Sequence, residues 1–284
     1  MNVNVQYKNS VFSLLFSDPD VLRELYCALE GVTLPADVPV TINTLENVLF
    51  MELINDISFE IGGKLVVLIE HQSTINPNMP LRLLMYIARV YEKIIGDKKI
   101  YASRPIAIPR PEFFVLYNGV GAYPDEQILK LSDAFEKTAS LGLPEKEAAA
   151  LELVVKVVNI NEGRNAGLAR RCKTLAGYSA FIGKARELEK ESGDKEEAMK
   201  KAIKYCREHD ILKEFLEKHS TEVFNMLLTE WNTDDALAVR FDEGKEEGRE
   251  EIARNALAEG ATIEFVTKIT GLEMDAIRDI QARL

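Results

Sequence analysis

The residues best suited to chemistry are two carboxylates and an amide, at Asp56, Glu70 and Gln72. They flank two β-rich runs, ISFEI and KLVVLIEHQ, which a Gly-Gly pair joins as in a hairpin. Side chains alternate between the two faces of a strand. Glu70 and Gln72 are therefore predicted to share one face, and His71 to point to the other.

The register of this hairpin decides whether the two carboxylates meet. If the turn is centred on Gly63, Asp56 lies directly opposite Glu70, because both positions are equally distant from it. Directly opposed residues project from the same face of a sheet. Two such carboxylates repel each other unless a positive group lies between them. Mg²⁺ is suitable because it is a hard ion that takes oxygen ligands at about 2.0–2.1 Å.

The pattern therefore predicts metal ligands at Asp56 and Glu70, with Mg²⁺, or Mn²⁺ in its place, as the cofactor. A metal-activated water can attack a phosphodiester. Gln72 is predicted to complete the catalytic set by orienting the water or the phosphate. The alternative is structural: Asp56 starts a strand and Glu70 lies at a solvated strand end. Against it, a carboxylate that follows the apolar run VVLI is expected to be partly buried and to need a partner.

Charge narrows the class of protein and suggests where DNA would bind. A net charge of −11 argues against a protein that coats nucleic acid. The stretch 164–186 nevertheless contains no acidic residue. We predict that basic side chains at helical spacing contact DNA phosphates, the alternative being an ordinary solvated helix surface. These candidates are Arg82, Arg89, Arg170, Arg171 and Lys173.

The cysteines and the hydropathy indicate a cytoplasmic protein. Cys27, Cys172 and Cys206 form neither a disulfide framework nor a C-x-x-C metal motif, and we expect them to be reduced. The N-terminal segment lacks the basic start and long apolar run of a secretory signal. No stretch has the eighteen or more apolar residues of a membrane span, so no membrane partner is expected.

The order of predicted elements indicates an α/β (α+β) fold. Strands alternate with helices up to about residue 165, and the pattern from there onward is mainly helical. We therefore predict a core at 1–165 and a helical C-terminal region at 166–284. A helix break is predicted at Asp18-Pro19, and a long amphipathic helix over 76–97, with Asn78 as its cap.

At these motifs the sequence resembles the Rpn family of recombination-promoting nucleases and transposases, a branch of the PD-(D/E)xK superfamily. The most specific segments are EHQSTINPNMPLR and IPRPEFFVLYNG, with NDISF and YKNSVFSLLFSDPDVLRELYCALEG beside them. The resemblance implies a restriction-endonuclease-like core, a mixed sheet flanked by helices. It also implies cleavage of DNA with a divalent metal, linked to recombination or transposition.

By this resemblance Asp56 matches the metal-binding Asp of the superfamily motif. Glu70 and Gln72 match its (D/E)xK pair, with Gln in the Lys position. Asn9 stands where relatives often have an acid. If that acid helps to hold the metal, Glu46 or Glu52 is a candidate replacement.

The sequence thus predicts a metal-dependent DNA endonuclease that hydrolyses phosphodiester bonds. One alternative is a catalytically inactive nuclease fold kept for binding DNA or protein. Another is a scaffold or toxin-neutralising partner that uses the acidic run DEGKEEGREE at 242–251 as its contact surface. DNA is the expected partner, and a homo-oligomer is compatible with the sequence.

Overall fold

The fold rests on a computed structural model that describes residues 10–43, 56–96, 100–101, 103–142 and 149–282. Within α7, nothing is described for the side chains of 233–243. The contacts divide the chain into two compact units, Met1–Leu227 and Leu228–Leu284.

The first unit contains a six-stranded mixed sheet, in the order β1-β2-β3-β4-β6-β5. Its three central strands β3, β4 and β6 are parallel, and the other pairings are antiparallel. The strands are β1 (Val40–Ile42), β2 (Ile57–Ile61), β3 (Leu65–Gln72), β4 (Arg110–Tyr117), β5 (Glu126–Lys130) and β6 (Val154–Asn159).

Most of the helices lie after the last strand, in the C-terminal half of the chain. The first three are α1 (Val11–Leu15), α2 (Pro19–Glu30) and α3 (Met79–Ile95). The next three, after β6, are α4 (Ala166–Arg171), α5 (Lys173–Ser192) and α6 (Lys195–Glu208). The last are α7 (Lys213–Ala258), α8 (Ile263–Thr270) and α9 (Met274–Gln281).

The hairpin of β2 and β3 has the predicted register. Ile57 pairs with Ile69, and Ile61 pairs with Leu65 around the Gly62-Gly63 turn. Both glycines have positive φ, 59° and 64°, a region that glycine enters without steric cost. This register places Asp56, the residue before β2, opposite Glu70.

The two faces of β3 are covered by different helices. Val66 and Leu68 pack with Leu83 and Tyr86 of α3 in one core. On the opposite face the His71 ring lies against Phe12 of α1 and Tyr178 of α5. The alternation of side chains along β3 therefore directs Glu70 and Gln72 towards α3 and His71 away from it, as predicted.

Local signals explain where the helices near the site begin. The Asp18 side chain accepts a hydrogen bond from the backbone of Asp20, and α2 starts at Pro19, as predicted. For α3, Pro80 lies in the first turn as expected, but Asn78 makes no side-chain cap hydrogen bond. Asn78 thus occupies the predicted N-cap position without a side-chain cap, and its own backbone N–H donates to the Asn76 side chain at 2.9 Å.

The second unit has a small core of its own. Ala253 and Leu257 of α7 pack with Val266 of α8 and with Ile277 and Ile280 of α9. The compact units therefore divide at Leu227, whereas the sequence placed a boundary near 165. The first compact unit continues past residue 165, because α4 and α5 pack against α2 within it. A nuclease-like core at 1–165 stays a prediction.

The predicted fold class is confirmed: the first unit has a mixed sheet flanked by helices. Two strands were not predicted, β1 and β5. Both lie at sheet edges, β1 is only three residues long, and β5 is mostly exposed. Short, solvated edge strands lack the apolar alternation by which strands are recognised in a sequence.

Candidate metal centre

Asp56 and Glu70 are in direct contact at the end of the β2–β3 hairpin. The backbone N–H of Asp56 donates to Glu70 Oε1 at 3.2 Å. The backbone N–H of His71 donates to Asp56 Oδ2 at 2.7 Å. Glu70 is only 2% exposed. Asp56 and Glu70 therefore meet at the hairpin end, as the register predicts, and a metal shared by their two carboxylates stays a prediction.

The positive group beside this pair is an arginine. Arg82 of α3 donates from Nη2 to Glu70 Oε2 at 3.1 Å, and its side chain is 33% exposed. The same Nη2 donates to the Tyr86 hydroxyl at 2.9 Å. Burial lowers the pKa of Arg82, but the Tyr86 hydrogen bond and the Glu70 charge outweigh it, and the net shift is upward. Arg82 is therefore a cation at this site.

Gln72 lies on the same face of β3 as Glu70. Its Nε2 donates to Met79 Sδ at 3.0 Å, a weak acceptor, and Arg82 Nη1 approaches the same sulfur at 3.5 Å. Gln72 Oε1 is buried and has no hydrogen-bond partner. Gln72 Oε1 therefore has acceptor capacity that no described residue uses.

His71 fixes the end of β3 from the other face. Its ring stacks on Phe12 at a centroid distance of 4.7 Å and meets the Tyr178 ring edge-on at 5.4 Å. His71 Nε2 lies 3.1 Å from the Tyr178 hydroxyl. Since the His71 backbone holds Asp56, this aromatic packing also positions the acid pair.

The packing of His71 predicts a pH effect on stability. Burial, with the Arg186 charge adding to it, lowers the pKa of His71 from 6.5 to about 3. Below pH 6.5 the unfolded chain takes up a proton at this ring that the folded chain does not, so stability falls as pH falls. The slope is at most about 1.4 kcal/mol per pH unit.

The test is urea unfolding of His71→Phe between pH 7 and pH 4. Phe keeps the stacking but does not titrate, so its stability should fall less steeply than that of the wild type. The exposed His209, changed to Gln, is the matched control and should leave the slope unchanged. Equal slopes for His71→Phe and the wild type would contradict this role for His71.

A second polar cluster lies at the carboxyl ends of β4 and β6. Arg186 of α5 donates from Nη1 to Asn118 Oδ1 and to Asn161 Oδ1, both at 3.0 Å, and from Nη2 to the Asn118 carbonyl. The Asn118 backbone N–H donates to the Gln72 carbonyl at 2.8 Å. This cluster therefore ties α5 to the strand end that carries Gln72. The sequence did not predict Arg186 or Tyr86 as parts of a site.

The other basic candidates lie apart from the acid pair. Arg89 forms an exposed ion pair with Glu92 one turn along α3. Arg171 donates two hydrogen bonds to the Ala28 carbonyl at the end of α2, which gives it a structural role. Arg170 and Lys173 are exposed. Contact of these residues with DNA stays a prediction.

The donor set at the acid pair fits a small hard cation. Mg²⁺ is usually bound in proteins by one or two carboxylates, while waters and substrate phosphates complete its coordination. Asp56 and Glu70 supply two carboxylates, and the buried, unpartnered Gln72 Oε1 lies on the same face. Among the described residues no group of three or more His, Cys, Asp or Glu side chains is placed to hold a metal. Asn9, Glu46 and Glu52 lie outside them.

A known protein family matches the segment of the chain that contains the acid pair. Residues 48–162 match the family described as "putative transposase, YhgA-like". The chain is similar to this family over that segment. This region includes β2 to β6 and α3, and therefore Asp56, Glu70, Gln72 and Arg82. Neither a curated protein nor a solved structure matches the chain.

Residues outside the segment 48–162 contact the ends of its strands. Phe12, Tyr178 and Arg186 lie before or after 48–162, yet they pack on its strand ends.

Within the described parts of the chain, no helix combines the length and the apolar character needed to cross a membrane.

Proposed function

We propose that the chain is a divalent-metal-dependent DNA endonuclease that acts in transposition or recombination, with Asp56 and Glu70 as the metal ligands. The observation that carries the proposal is the hydrogen bond from the Asp56 backbone N–H to the Glu70 carboxylate, at the end of a hairpin whose register sets the two residues opposite each other. The YhgA-like match supports it, because transposition requires DNA strands to be cut. The PD-(D/E)xK resemblance of the same residues gives further support.

Each residue of the site has a defined part in this reaction. Asp56 and Glu70 would hold Mg²⁺, which when bound neutralises phosphate charge and makes water a better nucleophile. Gln72 can orient the attacking water by accepting a hydrogen bond from it at Oε1, or orient the scissile phosphate by donating a hydrogen bond from Nε2. The backbone N–H of His71 keeps the Asp56 carboxylate in place. DNA is the expected substrate.

A second candidate is a nuclease fold that binds DNA without cutting it. The observation that favours it is the ion pair between Arg82 and Glu70, which already neutralises one carboxylate without a metal. In that case the acid pair would serve only to stabilise the fold. Cleavage and binding assays separate the two candidates.

The test is nicking of supercoiled plasmid with Mg²⁺ or Mn²⁺, compared with EDTA. We expect the wild type to nick DNA only with the metal. Asp56→Asn should lose at least about a hundredfold in rate, because even residues that only support metal ligands cost 10–100-fold. Glu60→Gln is the matched control, a carboxylate on β2 near the Gly-Gly turn, and should cleave like the wild type. Wild-type protein that binds DNA but never cuts it would favour the second candidate.

A further inference from the structure

Arg82 is the one basic candidate that reaches the acid pair in the described part of the chain. Its partner Glu70 is almost fully buried, whereas a third of the Arg82 side chain is exposed. The Arg82 side chain thus contacts the buried carboxylate while part of it remains exposed to solvent. An ion in that position is able to change partners without unfolding the helix that carries it.

The remaining contacts of Arg82 keep it near Glu70 and Gln72. Tyr86, one helical turn further along α3, accepts a hydrogen bond from it, and Met79 Sδ lies near both Arg82 and Gln72. A divalent cation that binds Glu70 would therefore meet the positive charge of Arg82 while Arg82 stays in place.

We propose that Arg82 is the resident counter-ion of the Asp56–Glu70 pair, and that it couples metal binding to DNA binding. The proposal rests on the proposed function of the same pair. In the free protein Arg82 competes with the metal for Glu70. When DNA is bound, a phosphate takes the guanidinium and leaves Glu70 to the metal.

The chemistry of arginine supports both states. A guanidinium binds carboxylate and phosphate in the same planar geometry, so a DNA phosphate is an equivalent partner. Arg82 on Glu70 and a cation on Glu70 repel each other at close range. Coupling of this kind is reciprocal: DNA must raise the affinity for metal by the factor by which metal raises the affinity for DNA. It would delay loading of the metal until substrate is present.

The test is Mn²⁺ binding to the folded full chain, measured by electron paramagnetic resonance with and without a short phosphorothioate duplex. Arg82→Gln should raise the Mn²⁺ affinity of the free protein about tenfold, within the range usual for coupled sites. The increase in affinity caused by the duplex should then be smaller in Arg82→Gln than in the wild type, by the same factor. A purely structural role for Arg82 predicts the opposite, a loss of Mn²⁺ affinity.

Two further variants complete the experiment. Arg110→Gln is the matched control, because its Arg–Glu ion pair of 3.2 Å lies at the start of β4, away from the acid pair. It should leave Mn²⁺ affinity unchanged. If Arg82→Gln does not fold, Tyr86→Phe loosens Arg82 by removing one acceptor and should raise Mn²⁺ affinity about threefold, a smaller change in the same direction.

The outcomes are distinguishable. Wild-type protein that binds no Mn²⁺, with or without the duplex, overturns the proposed function itself. Wild-type protein that binds Mn²⁺ no less tightly than Arg82→Gln overturns only the role of Arg82. An equal rise in Arg110→Gln also overturns it, since the effect would then be one of net charge. An unchanged affinity in Tyr86→Phe does so where Arg82→Gln fails to fold.

Discussion

Asp56→Asn and Glu70→Gln should both abolish metal-dependent cleavage, yet differ in their effect on the metal-free protein. Asp56→Asn removes one of two neighbouring negative charges while its amide oxygen still accepts from the His71 N–H. Its melting temperature without metal should equal or exceed that of the wild type. Glu70→Gln removes the charge that Arg82 contacts. It should be less stable than Asp56→Asn by about 1–3 kcal/mol, the worth of a hydrogen bond to a charged group.

Thermal unfolding with and without Mg²⁺ measures both effects. A ligand that binds only the folded state raises its stability by RT ln(1 + [L]/Kd), so the wild type should gain stability with Mg²⁺. Neither variant should gain any. Glu60→Gln, the control, should gain as much as the wild type. Asp56→Asn that keeps the Mg²⁺-induced gain would show that Asp56 is not a metal ligand.

Gly119→Ala should destabilise the first unit by about 3 kcal/mol or more, as expected where atoms overlap in a tightly packed interior. A Cβ at Gly119 would overlap the Ser73 carbonyl oxygen and lie 2.6 Å from the Tyr117 hydroxyl. The Ser73 oxygen is a backbone atom, so it cannot move away by a change of side-chain rotamer. The strand ends that carry Gln72 and Asn118 would therefore have to separate.

Urea unfolding of Gly119→Ala measures this loss. Gly121→Ala is the matched control two residues further along, because its nearest new contact is a side-chain atom at a longer distance, the Tyr117 hydroxyl at 3.1 Å. It should cost much less. Similar losses for the two variants would contradict the close approach at Gly119. The DNA-cleavage rate of Gly119→Ala should also be lower than that of the wild type, because Gln72 would be displaced.

The hairpin and its acid pair could be predicted from sequence because local rules determine them. The Gly-Gly turn and the period of two along each strand place Asp56 opposite Glu70 and turn His71 away. The helix break at Asp18-Pro19 follows in the same way from a cap and a proline. Each of these features depends on residues close together in the chain.

The partners of the acid pair could not be predicted, because they depend on packing between distant elements. Arg82 was expected to contact DNA, whereas the packing of α3 on β3 brings it to Glu70. Tyr178 and Arg186 reach the strand ends from α5. Tyr178 and its partner His71 are more than a hundred residues apart in the sequence. The spacing of residues on one helix indicates which face they share, but not which strand that face will meet.

The most direct test of the metal centre is a crystal structure of the chain grown with Mn²⁺ and a short DNA duplex, with anomalous scattering recorded at the manganese edge. We predict one anomalous peak within bonding distance of both carboxylates, close to the roughly 2.1 Å that oxygen ligands of Mg²⁺ adopt. The Arg82 guanidinium should then lie on a phosphate rather than on Glu70. Crystals with bound DNA and no manganese at Asp56 and Glu70 would contradict the account.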